Sequence, residues 1–564
     1  MNRSANLSRL QTEAFDICII GAGASGAGCA VDAASRGLRV ALLEADDFGA
    51  GTSGTSTKLV HGGVRYLEQA VKTFDPKQLS LVRKALHERR TLLHIAPHLC
   101  HPLALLTPVN NLIEGAYYAI GLKIYDLLAG SRRMAPSRWL GKASAVRHFP
   151  AFDPDKLHSA VMYYDGQFDD IRLNLSMVQT AAAKGAAVAN HILVDKLNTD
   201  NAGKITSVSV VDKLTGASFS VQARVFINAT GTRADTMRQG ANPKQGVRMR
   251  ASKGAHVVLA GTALPVASGQ TEPAALLVPK TKDGRVLFAI PWRGQWLIGT
   301  TDTEANPGDV PALLPDEATY LLDHVNQYVK APIPIDALTG GFAGLRPLLQ
   351  ADPNASSQAL VRDHEVEIDP VSGLVSIMGG KWTTYRLMAQ ETVDACCQLL
   401  AAEGSVAPGM LAACQTETLL LQGAEGYNRA YRKHLSDSYP EYPTDVLDHL
   451  ANTYGTDALN VLRLLREEPD WVTRLANDHP FIQAEVIYAA RTEMAQTLSD
   501  VLMRRIRLGL IDWKATLEAL PVTARLLAVE RSWTPEQEEQ AMATFRAHIE
   551  GLLQKATGTV EFRV

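Results

Sequence analysis

Gly21, Gly23 and Gly26 fall in the spacing GxGxxG, directly after the apolar run 15–20 (FDICII) and directly before the small-residue stretch CAVDAASRG. The chemistry served by that spacing is the holding of a pyrophosphate. The first glycine permits a tight turn, and the second lets backbone approach the phosphates. The third lets helix pack closely on strand, with the anion at the positive helix end. Glu44 closes the next apolar run, 39–43 (RVALL), 23 residues after Gly21, where a carboxylate accepts from both ribose hydroxyls. Strand, glycine turn, helix, strand and acid make one dinucleotide-binding βαβ unit.

Two further strand ends carry chemistry of the same kind. The run 224–228 (RVFIN) stops at Ala229-Thr230-Gly231, which suits a second approach of backbone to a dinucleotide. The run 374–378 (LVSIM) stops at Gly379-Gly380-Lys381, a glycine pair at a strand-to-helix switch that offers N–H groups to a ring or a ribityl chain. No second GxGxxG unit serves a pyridine nucleotide. Three glycine-bearing strand ends converging on one large ligand favour FAD over NAD.

The elements that position these groups are legible in outline. Residues 47–64 are rich in Gly, Ser and Thr and read as a long loop, of the kind that is either functional or disordered. A charged amphipathic helix follows at 79–94. Residues 189–220 have a hairpin pattern, and 256–298 hold short alternating strands, with Trp292-Arg-Gly-Gln-Trp296 as a turn, so an antiparallel sheet is expected. Residues 381–400 read as a helix, and beyond 401 glycine is sparse and helical periodicity dominates. The expected fold class is α/β: an FAD-binding Rossmann-like domain, an antiparallel-β substrate domain and a C-terminal α-helical domain. The expected boundaries are 14–75, 165–250 and 345–400 for the first, 76–164 and 251–344 for the second, and 401–564 for the third.

Composition bounds the function classes. A chain of 564 residues exceeds one core. It is 46% hydrophobic and 20% charged with net charge −3, which gives no general attraction to nucleic acid. Six scattered cysteines without a CxxC pair argue against a disulfide framework or a structural zinc, and no metal site is expected. The segment MNRSANLSRLQTEAF is polar and reads as no secretory signal. No run of about 18 uncharged apolar residues is present. The most apolar long window, 112–129, is interrupted by Glu114, Lys123 and Asp126, which suits a helix lying on a membrane or packed within the substrate domain. Arg132, Arg133 and Arg138 follow it and suit anionic lipid heads. A second basic-apolar stretch, MRRIRLGL at 503–510, reads as a solvated helix face.

Five motifs in order, SGTSTKLVHGGVRYLE (53–68), IGTTD (298–302), GLRPL (344–348), LVRDHEV (360–366) and GGKWTTYR (379–386), resemble those of FAD-dependent glycerol-3-phosphate dehydrogenases. The resemblance continues through AEVIYAARTEMAQTLSDVLMRRIRLGL in the helical region. It implies oxidation of sn-glycerol 3-phosphate to dihydroxyacetone phosphate, with electrons passing to FAD and then to a membrane quinone. The expected location is accordingly the cytoplasm, peripherally on the inner face of the cell membrane. It places Arg65, Tyr66, His256, Thr300, Arg346 and Arg362 on the substrate. Gly21, Gly23, Gly26, Glu44, Ser53, Lys58, His61, Gly62, Ala229, Thr230, Gly231, Gly380, Lys381 and Thr383 fall to the cofactor. Arginine suits a phosphate dianion because its donors are planar and always charged. Removal of the alcohol proton calls for a base near neutral pKa, and His61 and His256 both qualify. Four residues separate His61 from Arg65, so a helical turn would point them one way, although Gly62-Gly63 disfavours a regular helix. Lys381 suits the flavin's N1–C2 edge, where reduction develops negative charge, or equally the substrate. The rival readings are an oxidase that uses O₂, an oxidase of another hydroxy or amino acid, and a flavin-binding regulator. A homodimer is admitted, and no nucleic acid is expected.

Overall fold

The run that opens the dinucleotide unit is a strand, Ala14–Ile20, in the middle of an eight-stranded sheet. The computed structural model describes residues 1–64, 67, 76–130, 134–267, 273–350, 364–404 and 412–558. Arg65, Tyr66, Arg132, Arg133 and Arg362 therefore lie outside the described residues.

Ala14–Ile20 pairs in parallel with Val40–Leu43 on one side and with Ser218–Asn228 on the other. Val40–Leu43 then pairs with Ala187–Ala189, and Ser218–Asn228 with Val375–Gly379, both in parallel. The chain thus leaves the central strand first to one side and later to the other, which makes a topological switch point at the carboxyl ends. Those ends are Gly21, Ala229–Gly231 and Gly379–Gly380, the three glycine-bearing turns. Helix Ala24–Ser35 is built of small residues and lies buried between the sheet and helix Tyr385–Ala402. A Cβ on Gly28 would stand 2.9 Å from the Tyr385 ring, so the two helices meet at backbone distance.

A second sheet has ten strands. Met249–Leu259 pairs antiparallel with Leu338–Leu349 along its whole length and with Gln295–Gly299 over its second half. The expected turn after Trp292 is a two-residue hairpin: Arg293 and Gly294 both take positive φ, +50° and +75°, and Trp292 pairs with Gln295. The loop at 47–64 is only partly irregular. It contains a tight turn, Thr52–Gly54, and a short strand, Leu59–Val60, which joins this sheet against Ser159–Phe168.

The C-terminal part is helical, from Tyr431–Ser438 to Pro535–Thr557, and packs on the second sheet, with Leu510, Ile511 and Trp513 in the same core as Phe342 and Ala343. Among the described residues no helix is long and apolar enough to cross a membrane.

Three expectations change. The helix expected at 381 begins at Tyr385, after a tight turn Trp382–Thr384, because Gly379 and Gly380 hold left-handed φ of +73° and +85°. Helix Pro76–Ile95 is longer than expected at both ends. The stretch 503–510 is not a solvated face: Arg505 and Arg507 are wholly buried. Arg505 pairs with Asp47, Arg504 with Asp47 and Asp500, and Arg507 with Asp170. Guanidinium groups are tolerated inside a protein when carboxylates meet them, and sequence periodicity cannot show those distant partners.

Candidate active site

The glycine turn is built as a dinucleotide seat. Gly21 has φ +99°, and a Cβ there would stand 2.7 Å from the Ala229 carbonyl oxygen. A Cβ on Gly26 would overlap the Gly21 carbonyl. Gly23 is the N-cap of helix Ala24–Ser35 and has no capping side chain. Instead Ser53 Oγ, 2.9 Å away, accepts from the Ala24 N–H. Glu44 closes the seat: Oε2 accepts from the Ala22 N–H at 2.7 Å and Oε1 from the Asp46 N–H at 3.0 Å. Burial raises its carboxyl pKa, and the neighbouring Asp46 and Asp47 add to the effect. Each oxygen keeps a further lone pair for a hydroxyl donor.

On the second strand end, Asn228 is buried and accepts from the Thr230 hydroxyl at 2.7 Å while donating to Ala234 and Ser376, which holds Ala229–Gly231 in place. On the third, a Cβ on Gly380 would overlap the Met388 side chain.

The segment from Thr52 to Gly63 ties these turns to the second sheet. Its Ser53 carbonyl accepts from Trp382 Nε1 at 2.9 Å, and the His61 N–H donates to Thr383 Oγ1 at 3.3 Å. Its Thr52 hydroxyl donates to the Leu345 carbonyl, and Thr55 fills the space a Gly344 side chain would need. Residues 61–63 form no helical turn, and Gly63 has φ +82°.

His256 lies on Met249–Leu259, opposite Gly299 on one neighbour and Phe342 on the other. Its ring stacks on Phe342 with centroids 4.8 Å apart, and Nε2 shares a 3.0 Å hydrogen bond with Thr57 Oγ1. Nδ1 has no hydrogen-bond partner among the described residues. Burial, with Lys58 and Arg346 nearby, drives the imidazole pKa well below its ordinary value, so the ring is neutral.

Arg346 reaches across Gly254, donating to the Thr300 hydroxyl at 2.8 Å and the Thr301 carbonyl at 2.9 Å and pairing with Asp302 at 3.2 Å. The structure thus brings His256, Thr300 and Arg346 together, and sets His61, Gly380, Lys381 and Thr383 around the glycine-pair turn. Lys58 faces inward instead. Its ammonium pairs with Asp170 at 2.5 Å, donates to the Gly54 carbonyl and lies 4.7 Å from the Phe342 ring centre. Burial, helped by Arg507, lowers its pKa to about 7.

Thr57, Asp170 and Arg507 were not singled out from sequence. Thr57 stands within the SGTSTK motif, so its neighbours carried a signal. Asp170 and Arg507 gave none, because each acts through a residue over a hundred positions away. Asp47, His191 and Asp500 also cluster, but Arg504 and Arg505 already neutralise the two carboxylates.

Residues 16–394 match the family model described as FAD dependent oxidoreductase, and residues 414–538 match the C-terminal domain of alpha-glycerophosphate oxidase. The chain is 40% identical over 560 residues to the mitochondrial glycerol-3-phosphate dehydrogenase of Homo sapiens, covering 97% of this chain and 74% of that one. It belongs to the FAD-dependent glycerol-3-phosphate dehydrogenase family. A probable mitochondrial member from Caenorhabditis elegans is likewise 40% identical, with the same coverage. The solved glycerol-3-phosphate dehydrogenase from Bacillus halodurans, complexed with FAD, matches with a TM-score of 0.77 at 28% identity, over 100% of this chain and 98% of that one.

The site fits the family's cofactor. At the switch point Gly21 and Gly26 leave no room for a Cβ and Gly231 and Gly380 hold positive φ, the N-terminus of helix Ala24–Ser35 faces it with Ser53 on its first N–H, and Glu44 keeps acceptor capacity beside it. As an FAD-dependent oxidoreductase, the chain would hold the dinucleotide there, with the glycine-pair turn and the His61 loop toward the substrate side.

Proposed function

We propose that this chain oxidises sn-glycerol 3-phosphate to dihydroxyacetone phosphate and passes the electrons to a membrane quinone. The observation that carries the substrate reading is Arg346 held beside a neutral, buried His256 at the seam between the cofactor seat and the second sheet. Bound FAD supplies the hydride acceptor. Arg346 offers the phosphate a fixed, always-charged donor, and each hydrogen bond to such a charged group contributes roughly 1.5–3 kcal/mol. Arg65, Tyr66 and Arg362 complete that reading from their family positions. Thr300 orients Arg346 and gives the substrate a hydroxyl. Neutral His256 can accept a hydrogen bond from the substrate alcohol through Nδ1, but its lowered pKa departs from the near-neutral value a base calls for, and His61 is the alternative base. Lys381 adds positive charge beside the glycine-pair turn, where reduction places negative charge.

The membrane reading rests on helix Leu112–Ala129. Ile113, Tyr117, Ile120, Ile124 and Leu127 recur at helical spacing along its outer face and are exposed, Ile113 at 85% and Leu127 at 83%. Exposed Trp139 and Arg138 lie alongside, on the strand Arg138–Gly141 that packs next to this helix. An apolar stripe flanked by an interfacial aromatic and a cation suits the surface of a bilayer, where a quinone resides. We accordingly read the protein as peripheral, on the inner, cytoplasmic face of the cell membrane.

The test is spectroscopic. Anaerobic glycerol 3-phosphate should bleach the flavin, and a quinone analogue should restore its colour faster than air does. Flavin that stays oxidised would overturn the substrate reading, and reoxidation by air alone would assign an oxidase. Flotation with anionic vesicles, lost on Ile120→Glu with Leu127→Glu, checks the membrane face.

A further inference from the structure

Helix Leu112–Ala129 has a second face. Gly115, Leu122, Tyr125 and Ala129 are buried, on the side opposite the exposed stripe. Tyr125 does more than pack there. Its phenol oxygen accepts from the Gly62 N–H at 2.7 Å, and its hydroxyl donates to Asp165 at 2.8 Å. Arg89, from helix Pro76–Ile95, pairs with Asp165 at 2.5 Å and completes the chain. Tyr125, Asp165 and Arg89 are all at most 2% exposed. Burial and Asp165 hold the phenol pKa well above its ordinary value, so the hydroxyl keeps its proton and its direction.

Gly62 shows how tightly this contact is set. A Cβ there would stand 2.6 Å from both Tyr125 Oη and Leu86 Cδ2. On one side of Gly62 the His61 N–H is bonded to Thr383, in the turn that follows Gly380 and Lys381. The loop is thus suspended between the glycine-pair turn and the Tyr125 hydroxyl. A single peptide separates those two anchors.

We propose that Tyr125 is a positioning residue for flavin reduction, setting the His61–Gly63 loop through the Gly62 N–H, so that the helix bearing the exposed apolar stripe is built into the active site. The inference rests on the dehydrogenase reading above. A loop displaced by about 1 Å can cost an enzyme on the order of 100-fold in rate. Tyr125→Phe keeps the ring and its edge-on contact with Tyr163 but removes the oxygen. Without it the buried Gly62 N–H has lost its acceptor.

The experiment is anaerobic stopped-flow flavin reduction by glycerol 3-phosphate, with excess FAD and no vesicles, in wild type, Tyr125→Phe and Leu122→Ala. Leu122 is buried on the same face and makes no bond to the loop, so its variant reports helix packing alone. The expected result is a limiting reduction rate at least about tenfold lower in Tyr125→Phe. Its substrate dissociation constant should stay within about twofold, while Leu122→Ala lowers the thermal midpoint yet reduces at nearly the wild-type rate. A wild-type rate in Tyr125→Phe, or an equal slowing in Leu122→Ala, would overturn the proposal. A wild-type flavin that glycerol 3-phosphate cannot bleach would instead refute the dehydrogenase reading, and loss of vesicle flotation would touch only the membrane face.

Discussion

Thr57 Oγ1 stands 3.0 Å from Nε2 of His256, joining residues 199 positions apart. Thr57 sits between Ser56, whose hydroxyl donates to Asp170, and Lys58, whose ammonium pairs with the same carboxylate. Asp170 therefore sets the loop, the loop sets Thr57, and Thr57 sets the imidazole.

Thr57→Val removes that hydrogen bond at nearly constant volume. A buried polar atom left without its partner costs about 1–3 kcal/mol. We expect kcat/KM for glycerol 3-phosphate to fall about tenfold or more, with normal flavin content, in a steady-state dye-reduction assay.

Arg346→Ala should act on binding. On the proposed phosphate clamp, loss of two charge-assisted hydrogen bonds at roughly 1.5–3 kcal/mol each should raise KM by about 100-fold or more. Flavin content should stay normal, since the hydrogen bonds described for Arg346 run to Ser252, Lys253, Thr300, Thr301 and Asp302. Unchanged kinetics would remove Arg346 from the phosphate clamp.

Gly26→Ala tests the cofactor seat. Its Cβ would overlap the Gly21 carbonyl and push the helix from the strand, so the purified protein should be colourless. Flavin released on denaturation measures the loss. A fully yellow variant would contradict the dinucleotide assignment.

Lys58 gives a pH dependence whose sign follows from linkage. Its folded pKa is lowered to about 7, against roughly 10.4 unfolded, so between those values the unfolded chain binds more protons. Folding stability contributed by this group therefore rises as pH climbs from about 7 toward 10. Lys58→Met should flatten that rise, and thermal midpoints of both proteins from pH 7 to 9.5 check it.

Arg507→Met tests the link to the helical region. Arg507 is wholly buried, pairs with Asp170 at 2.9 Å and donates to the Gly54 carbonyl. Lys58 remains on Asp170, so the loss should be less than the roughly 3–5 kcal/mol of an isolated broken pair, but large enough to lower the thermal midpoint measurably. Slower flavin reduction in the same variant would show that the C-terminal helices help to shape the site.

The local rules of the chain determined the cofactor seat. GxGxxG, the acid after the next strand, Ala229–Gly231 and Gly379–Gly380 are short-range patterns, since turns and strand ends depend on neighbouring residues alone. Periodicity marked the hairpin at 189–220, the strands within 256–298 and the helical region in the same way, but not the strands Cys100–Val109, Ser159–Phe168 and Leu338–Leu349 of the second sheet. Family motifs marked His256, Thr300 and Arg346, which the strand pairing of Met249–Leu259 with its two neighbours brings side by side. Only the tertiary structure decided what lies behind them. Asp170 under the loop, Arg507 arriving from the helical region and Tyr125 on Gly62 are contacts between distant segments. The same holds for the stretch 503–510, which looks solvated by composition and is buried because Asp47, Asp500 and Asp170 wait for its arginines. A buried charge is stable only with its partner, and the partner's position is a property of the fold.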